Sequence, residues 1–166
     1  MRKYVSLILI IILTACSVEN ETVKNEIEKQ FIPRDFKRYA MERFIQGNTY
    51  DLQEKHEQAV REYTEAVKYD PNAGIYYSLA KSYYRLNRLD LALINSKKAI
   101  ALDSLNKDYL YLLGAIFSNS NQSDSAVLCY ENIIKLDSSD SGGYFNLAEQ
   151  LEATKPSESL KLYKKI

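Results

Sequence analysis

The chain has 166 residues, and its 22 basic side chains balance its 22 acidic ones. A net charge of zero sets up no field that would concentrate a polyanion, which argues against nucleic acid as a partner. Fourteen tyrosines and no tryptophan suit helix interfaces and wet binding surfaces, because a tyrosine is apolar at one end and hydrogen-bonds at the other.

Residues 1–15 read as an export signal. Arg2 and Lys3 form a basic start, and the apolar run from Val5 to Leu13 is too short to span a bilayer. Leu13-Thr14-Ala15-Cys16 then resembles the bacterial lipoprotein box. The resemblance implies cleavage before Cys16 and acylation of that residue, and several acyl chains give lasting membrane attachment where one is marginal. It places the mature chain in the cell envelope, on the periplasmic face or surface of the outer membrane if there are two membranes. Ser17 resembles the outer-membrane sorting pattern. The alternative is an ordinary secretory signal with an incidental cysteine. With Cys16 lipidated, Cys129 has no partner and reads as a small buried hydrophobe.

Residues 16–32 are polar and read as a tether. Pro33 and Asp35 then mark a helix start, with Phe36, Tyr39, Ala40, Phe44, Gly47 and Tyr50 along one face. From there helices are expected at 35–52, 56–69, 73–86, 89–102, 107–120, 123–136, 141–153 and from 156 onward.

The order behind these helices is a repeat. Residues 73–106 laid over 107–140 match at Leu79-Ala80 over Leu113-Gly114, Tyr83 over Phe117 and Ala92 over Ala126. The frame extends back over 40–72 through Gly47, Tyr50, Ala59 and Tyr63. Forward over 141–166 it takes in Ala148, Ser159 and Tyr163, with one residue missing from the internal turn. A period of 33 or 34 residues means stacked helical hairpins, since no single copy can bury its apolar stripe alone. These residues resemble the tetratricopeptide repeat (TPR) pattern. The resemblance implies an all-α fold over 33–166, an α-solenoid of antiparallel helix hairpins coiled into a right-handed superhelix. Ser96 stands where an aromatic is expected, and Ile133 where Ala66 and Ala99 put a small residue, so looser packing is expected around the second and third copies. TPR arrays normally end in a polar capping helix, whose lack here suggests a longer reading frame beyond Ile166.

Candidates for chemistry are few. The single histidine, His56, lies in a turn between Lys55 and Glu57 and reads as solvated; with one usable cysteine it cannot build a His/Cys metal cluster. No glycine-rich phosphate loop is present. No catalytic residue, metal, cofactor or small-molecule substrate is expected, and the chain reads as a non-enzyme.

The recurring surface feature is an aromatic set: Phe44, Tyr77, Tyr111 and Phe145, at spacings of 33, 34 and 34. In TPR proteins the first helix of each hairpin lines the concave side, so the resemblance makes these a ladder there, with Asn48, Lys81, Glu149 and Tyr84 nearby. Such a surface suits an extended or helical peptide. The same aromatic position also serves packing against a neighbouring copy. Some TPR proteins grip a chaperone's C-terminal carboxylate with a lysine, asparagines and a basic pair. Here Phe44 stands at the lysine position, Asp108 and Leu112 stand at the basic pair, and Asn48 alone survives. The expectation is a protein-interaction scaffold in the envelope. The alternatives are a part of an outer-membrane assembly machine (pilotin-like or assisting protein insertion) and the sensor arm of a longer protein.

Overall fold

The computed structural model describes residues 34–166; the export signal, Cys16 and the tether lie outside them. The described residues form eight α-helices and no strand: α1 Arg34–Leu52, α2 His56–Tyr69, α3 Ala73–Arg85, α4 Leu89–Leu102, α5 Lys107–Asn119, α6 Ser123–Leu136, α7 Ser141–Leu151 and α8 Pro156–Tyr163. The chain divides between Arg38 and Tyr39 into two compact units, and the stacked hairpins belong to the second, Tyr39–Ile166.

Each helix packs on the next in chain order. The buried clusters explain why one hairpin is not enough. Ala59, Tyr63 and Ala66 of α2 bury with Ile75 and Leu79 of α3. Ala80 and Ala92 of the second hairpin bury with Leu112 and Ile116 of α5. Ala126, Tyr130 and Ile133 of α6 bury with Leu147 and Leu151 of α7. Every cluster crosses a repeat boundary, so each hairpin's apolar stripe is completed by its neighbour.

The helix starts alternate in chemistry. Asn72, Asn106 and Asp140 cap α3, α5 and α7 by accepting from the amides of Ile75, Asp108 and Gly143. The second helices begin at Lys55, Arg88, Gln122 and Lys155 without a side-chain cap. Inside the first three hairpins the turn passes through a left-handed residue, Glu54, Asn87 or Asn121, with φ between 55° and 59°. Asparagine tolerates that conformation better than glutamate does. The fourth hairpin has one residue fewer and no left-handed residue in its turn.

At Ile133 the expected looseness does not occur. Ile133 is fully buried, and space for it comes from Gly143, where an added Cβ would lie 3.1 Å from Ile133 Cγ2. Large and small have exchanged places across the boundary: Ala66 meets Ile75 in its cluster, and Ile133 meets Gly143. Ser96 is also fully buried, and its hydroxyl has no hydrogen-bond partner. A buried polar group left unpaired costs about 1–3 kcal/mol. Ser96→Ala is therefore expected to raise stability by about 1 kcal/mol, read as a higher urea midpoint; a lower midpoint would mean the hydroxyl is bonded. Phe36 departs from the expected core face and is exposed, while Ala40 and Gly47 are buried. Cys129 is buried as expected, and burial pushes its thiol up to about 11.

Candidate functional site

A cavity of about 380 Å³ opens between α3 and α5. Tyr77, Lys81, Tyr84 and Arg85 line it from α3, and Asp108, Tyr111, Leu112 and Ala115 from α5. These sets recur at three, four, seven and eight residues, so each is one face of its helix. Tyr130 of α6 and Asn146 of α7 complete the lining. Four expected site residues are thus brought together: Tyr77, Lys81, Tyr84 and Tyr111. Phe44, Asn48, Phe145 and Glu149 do not line this cavity.

The difference lies in ring partners. Phe44 packs on Tyr63 at 5.7 Å and Phe145 on Tyr163 at 5.9 Å, each within its own hairpin. Tyr111 does the same with Tyr130 at 6.4 Å. In the second hairpin the corresponding residue is Ser96, which carries no ring. Tyr77 packs instead across the boundary on Tyr109, with centroids 4.9 Å apart. Packing against a neighbouring copy, one use foreseen for the aromatic position, occurs at Tyr77; Tyr77 and Tyr111 line the cavity, while Phe44 and Phe145 pack inside their own hairpins. Asn48 is also engaged, since Tyr63 donates its hydroxyl to Asn48 Oδ1 at 2.7 Å.

Tyr130 belongs to a second helix, which a search of first-helix faces passes over. It reaches the cavity because Gly114 has no side chain: a Cβ there would sit 2.7 Å from Tyr130 Cε1. Gly47 stands in the same relation to Tyr63, at 2.5 Å. Where the ring is replaced by Ser96, alanine (Ala80) occupies the glycine position. Arg85 was findable by extending the Tyr77–Lys81–Tyr84 face one residue further.

Three phenols of this surface, Tyr77, Tyr111 and Tyr130, are shifted up. Burial pushes Tyr130 up to about 12 and raises Tyr77, with the Asp108 charge adding to the latter. Tyr111 is raised by burial and by donating its hydroxyl to Asp140 Oδ1. Asp140 also receives Lys107 Nζ at 2.7 Å and caps α7 through the Gly143 amide at 2.9 Å. Lys107 bonds Asp137 at 2.7 Å as well, so one lysine and one tyrosine of α5 clamp the α6–α7 junction. The cavity wall is thereby fixed in place.

His56 departs from its expected place in solvent. It is the first residue of α2, 21% exposed at its side chain, with Nδ1 2.8 Å from Asp51 Oδ1. Ser82 donates to the same oxygen at 3.2 Å, and Lys81 Nζ lies 3.9 Å from Asp51 Oδ2. A serine, a histidine and an aspartate thus meet. Both bonds converge on the carboxylate, however, and Ser82 is fully buried. A serine nucleophile needs its hydroxyl on the imidazole and open to substrate, so this trio is a structural tie between α1, α2 and α3. Among the described residues no cluster of histidine, cysteine, aspartate and glutamate could hold a metal ion, and no helix is long and apolar enough to cross a membrane.

The period, the hairpins and the small-for-large exchanges find their match in known families. The "TPR repeat" family matches residues 47–87, and "Tetratricopeptide repeat" matches 73–104 and 108–140, together more than half of the chain. The chain belongs to the tetratricopeptide repeat family. This TPR chain is 35% identical over 121 residues to Hsp70-Hsp90 organizing protein 3 of Arabidopsis thaliana. It is 32% identical over 122 residues to Hsp70-Hsp90 organizing protein 1 of Glycine max. The matches take in 70% and 72% of the TPR chain but only 21% of the length of each relative. Solved structures share its fold. MamA superposes with a TM-score of 0.73 at 23% identity, covering 76% of this chain and 75% of that one. The first TPR of Spaghetti (RPAP3) bound to the HSP90 peptide SRMEEVD gives 0.67 at 24%, covering 70% and 93%. YrrB, a TPR protein with an unusual peptide-binding site, gives 0.69 at 20%, covering 76% and 66%.

Proposed function

We propose that this chain is a non-enzymatic interaction scaffold, tied to the cell envelope by lipid on Cys16, that holds a segment of a partner protein in the cavity between α3 and α5. The observation that carries the reading is the cavity itself. Four tyrosines, a leucine and two cations converge on it, and its wall is fixed by the Lys107–Asp137–Asp140–Tyr111 cluster. Rigid rings supply contact area at low entropy cost, and neutral phenols offer hydrogen bonds to a peptide backbone. Relatives named for chaperone organisation, and a fold neighbour solved with a chaperone peptide, support a peptide-holding use. The chain differs from a carboxylate grip: Asp108 and Leu112, in the cavity, occupy the basic-pair positions, and outside it Phe44 occupies the lysine position and Asn48 is engaged by Tyr63. The groove therefore reads the body of a segment rather than its terminal carboxylate.

The test uses the full chain in its native cells. A photocrosslinking amino acid at Ala115, on the cavity wall, is expected to trap a discrete protein adduct. The same probe at Leu128, exposed on α6, is not. Tyr77→Ala with Tyr84→Ala should abolish the Ala115 adduct while helical circular dichroism is unchanged. Tyr111 is left intact because it also holds Asp140. Cys16→Ser should release the chain from membranes and end acyl-chain labelling. An adduct that survives loss of both tyrosines sinks the groove, and membrane retention of the Cys16→Ser chain sinks the anchor.

A further inference from the structure

The charges around the cavity are sorted along the array. Equivalent positions one helical turn beyond the ladder run Asn48, Lys81, Ala115 and Glu149. On α3, Lys81 keeps 43% of its side chain exposed with only a long contact to Asp51, at 3.9 Å. Arg85, one turn further, has no carboxylate partner among the described residues. Glu149 of α7, and Glu152 just past its end, are exposed and without a cationic partner among the described residues. Glu149 lies close enough for its charge to act on Tyr130, which lines the cavity. Between these ends the row passes over Ala115, which is uncharged, and the apolar surface of Tyr84, Tyr111 and Leu112. Asp108, one turn before Leu112 on the same face, also lines the cavity and sets a negative charge beside Tyr77, at the edge of this apolar surface.

Resting on the reading of the cavity as a peptide site, we propose that its occupant is an extended segment of bipolar charge. An acidic residue sits over Lys81 and Arg85, a basic residue over Glu149 and Glu152, and an apolar side chain lies between them on Tyr77, Tyr111 and Leu112. The segment runs from the α3 side of the cavity past its lining towards α7, so its two charges flank the apolar side chain. Complementary charge at both ends fixes the register of the segment and disfavours segments of a single sign.

A random twelve-residue peptide display library selected against the full chain tests this. Enriched peptides are expected to carry an acidic and a basic residue on opposite sides of an apolar one. A peptide so selected should lose about tenfold or more in affinity against Lys81→Glu with Arg85→Glu. It should regain that affinity when Glu149→Lys and Glu152→Lys are added, lying the other way round. Arg85, Glu149 and Glu152 are exposed, whereas Lys81 also faces Asp51, so circular dichroism and a thermal midpoint check that each variant is folded. Peptides that need Tyr77 and Tyr84 but bind the reversed-charge chain equally well overturn the bipolar occupant and leave the groove standing. Selection that ignores both the tyrosines and the charges overturns both.

Discussion

Gly114→Ala is expected to destabilise the array by about 2 kcal/mol, although alanine is the better helix former by about 1 kcal/mol. The added Cβ would fall 2.7 Å from Tyr130 Cε1 and 2.8 Å from its Cζ, and that ring is only 3% exposed. Either the ring must be displaced from its packed position or α5 and α6 must part. For a unit of this size the loss corresponds to roughly 5–10 °C in the thermal midpoint. The second hairpin supplies the control, because it pairs Ala80 with Ser96 instead of glycine with tyrosine. In a Tyr130→Ser background the alanine should cost nothing or become mildly stabilising. A double-mutant cycle should therefore return about 2 kcal/mol of coupling. Strict additivity would show that Gly114 is not there to admit the ring.

The second large effect is expected at Asp140. Asp140→Ala removes the cap on α7, the acceptor of the Tyr111 hydroxyl and one of the two carboxylates on Lys107. Loss of a cap costs about 1 kcal/mol, and leaving a half-buried hydroxyl unpaired adds a similar amount. The combined drop is about 2–3 kcal/mol, measured by urea denaturation at neutral pH. Asp140→Asn keeps the cap and isolates the charge. The Lys107 ammonium holds both Asp137 and Asp140 below the usual carboxylate range. Their contribution is complete above about pH 4 and fades as pH falls below it, as the carboxylates take up protons. Lys107 is pushed up to about 12 by the same bonds. Its contribution is complete below about pH 10 and is lost as pH rises through about 12. Tyr111, also raised, fades over the same alkaline limb. The wild-type-minus-Asp140→Asn difference should thus shrink at both ends of a pH series. A difference that is flat from about pH 3 to 11 would mean the cluster carries no electrostatic weight.

Much of the fold was legible because two simple signals agree. The small residues Gly47, Ala80, Gly114 and Ala148 recur with the hairpin period, and the apolar faces between them repeat every three to four residues. The helix limits then fall within one or two residues of expectation. The site was legible in part. Tyr77, Lys81, Tyr84 and Tyr111 share the face of a first helix, which periodicity locates. Phe44 and Phe145 occupy equivalent positions in sequence, but the rings of Tyr63 and Tyr163 absorb them, and that depends on tertiary partners. Tyr130 was hidden because it enters from a second helix through the gap at Gly114. His56 looked solvated among Lys55 and Glu57, yet the tight turn through Glu54 folds it back onto Asp51. The compensation of Ile133 by Gly143 spans ten residues and two helices. Reading either position alone suggests a defect.

The ring pair that joins Tyr77 to Tyr109 bears on how the array comes apart. The other aromatic pairs lie within one hairpin and strengthen that hairpin alone, whereas this one adds to the nearest-neighbour interface between the second and third. In a one-dimensional chain of such units, a reinforced junction makes the hairpins on either side melt as a block. Amide exchange should report α3 to α6 opening together, which keeps the α3–α5 wall of the cavity inside one cooperative piece.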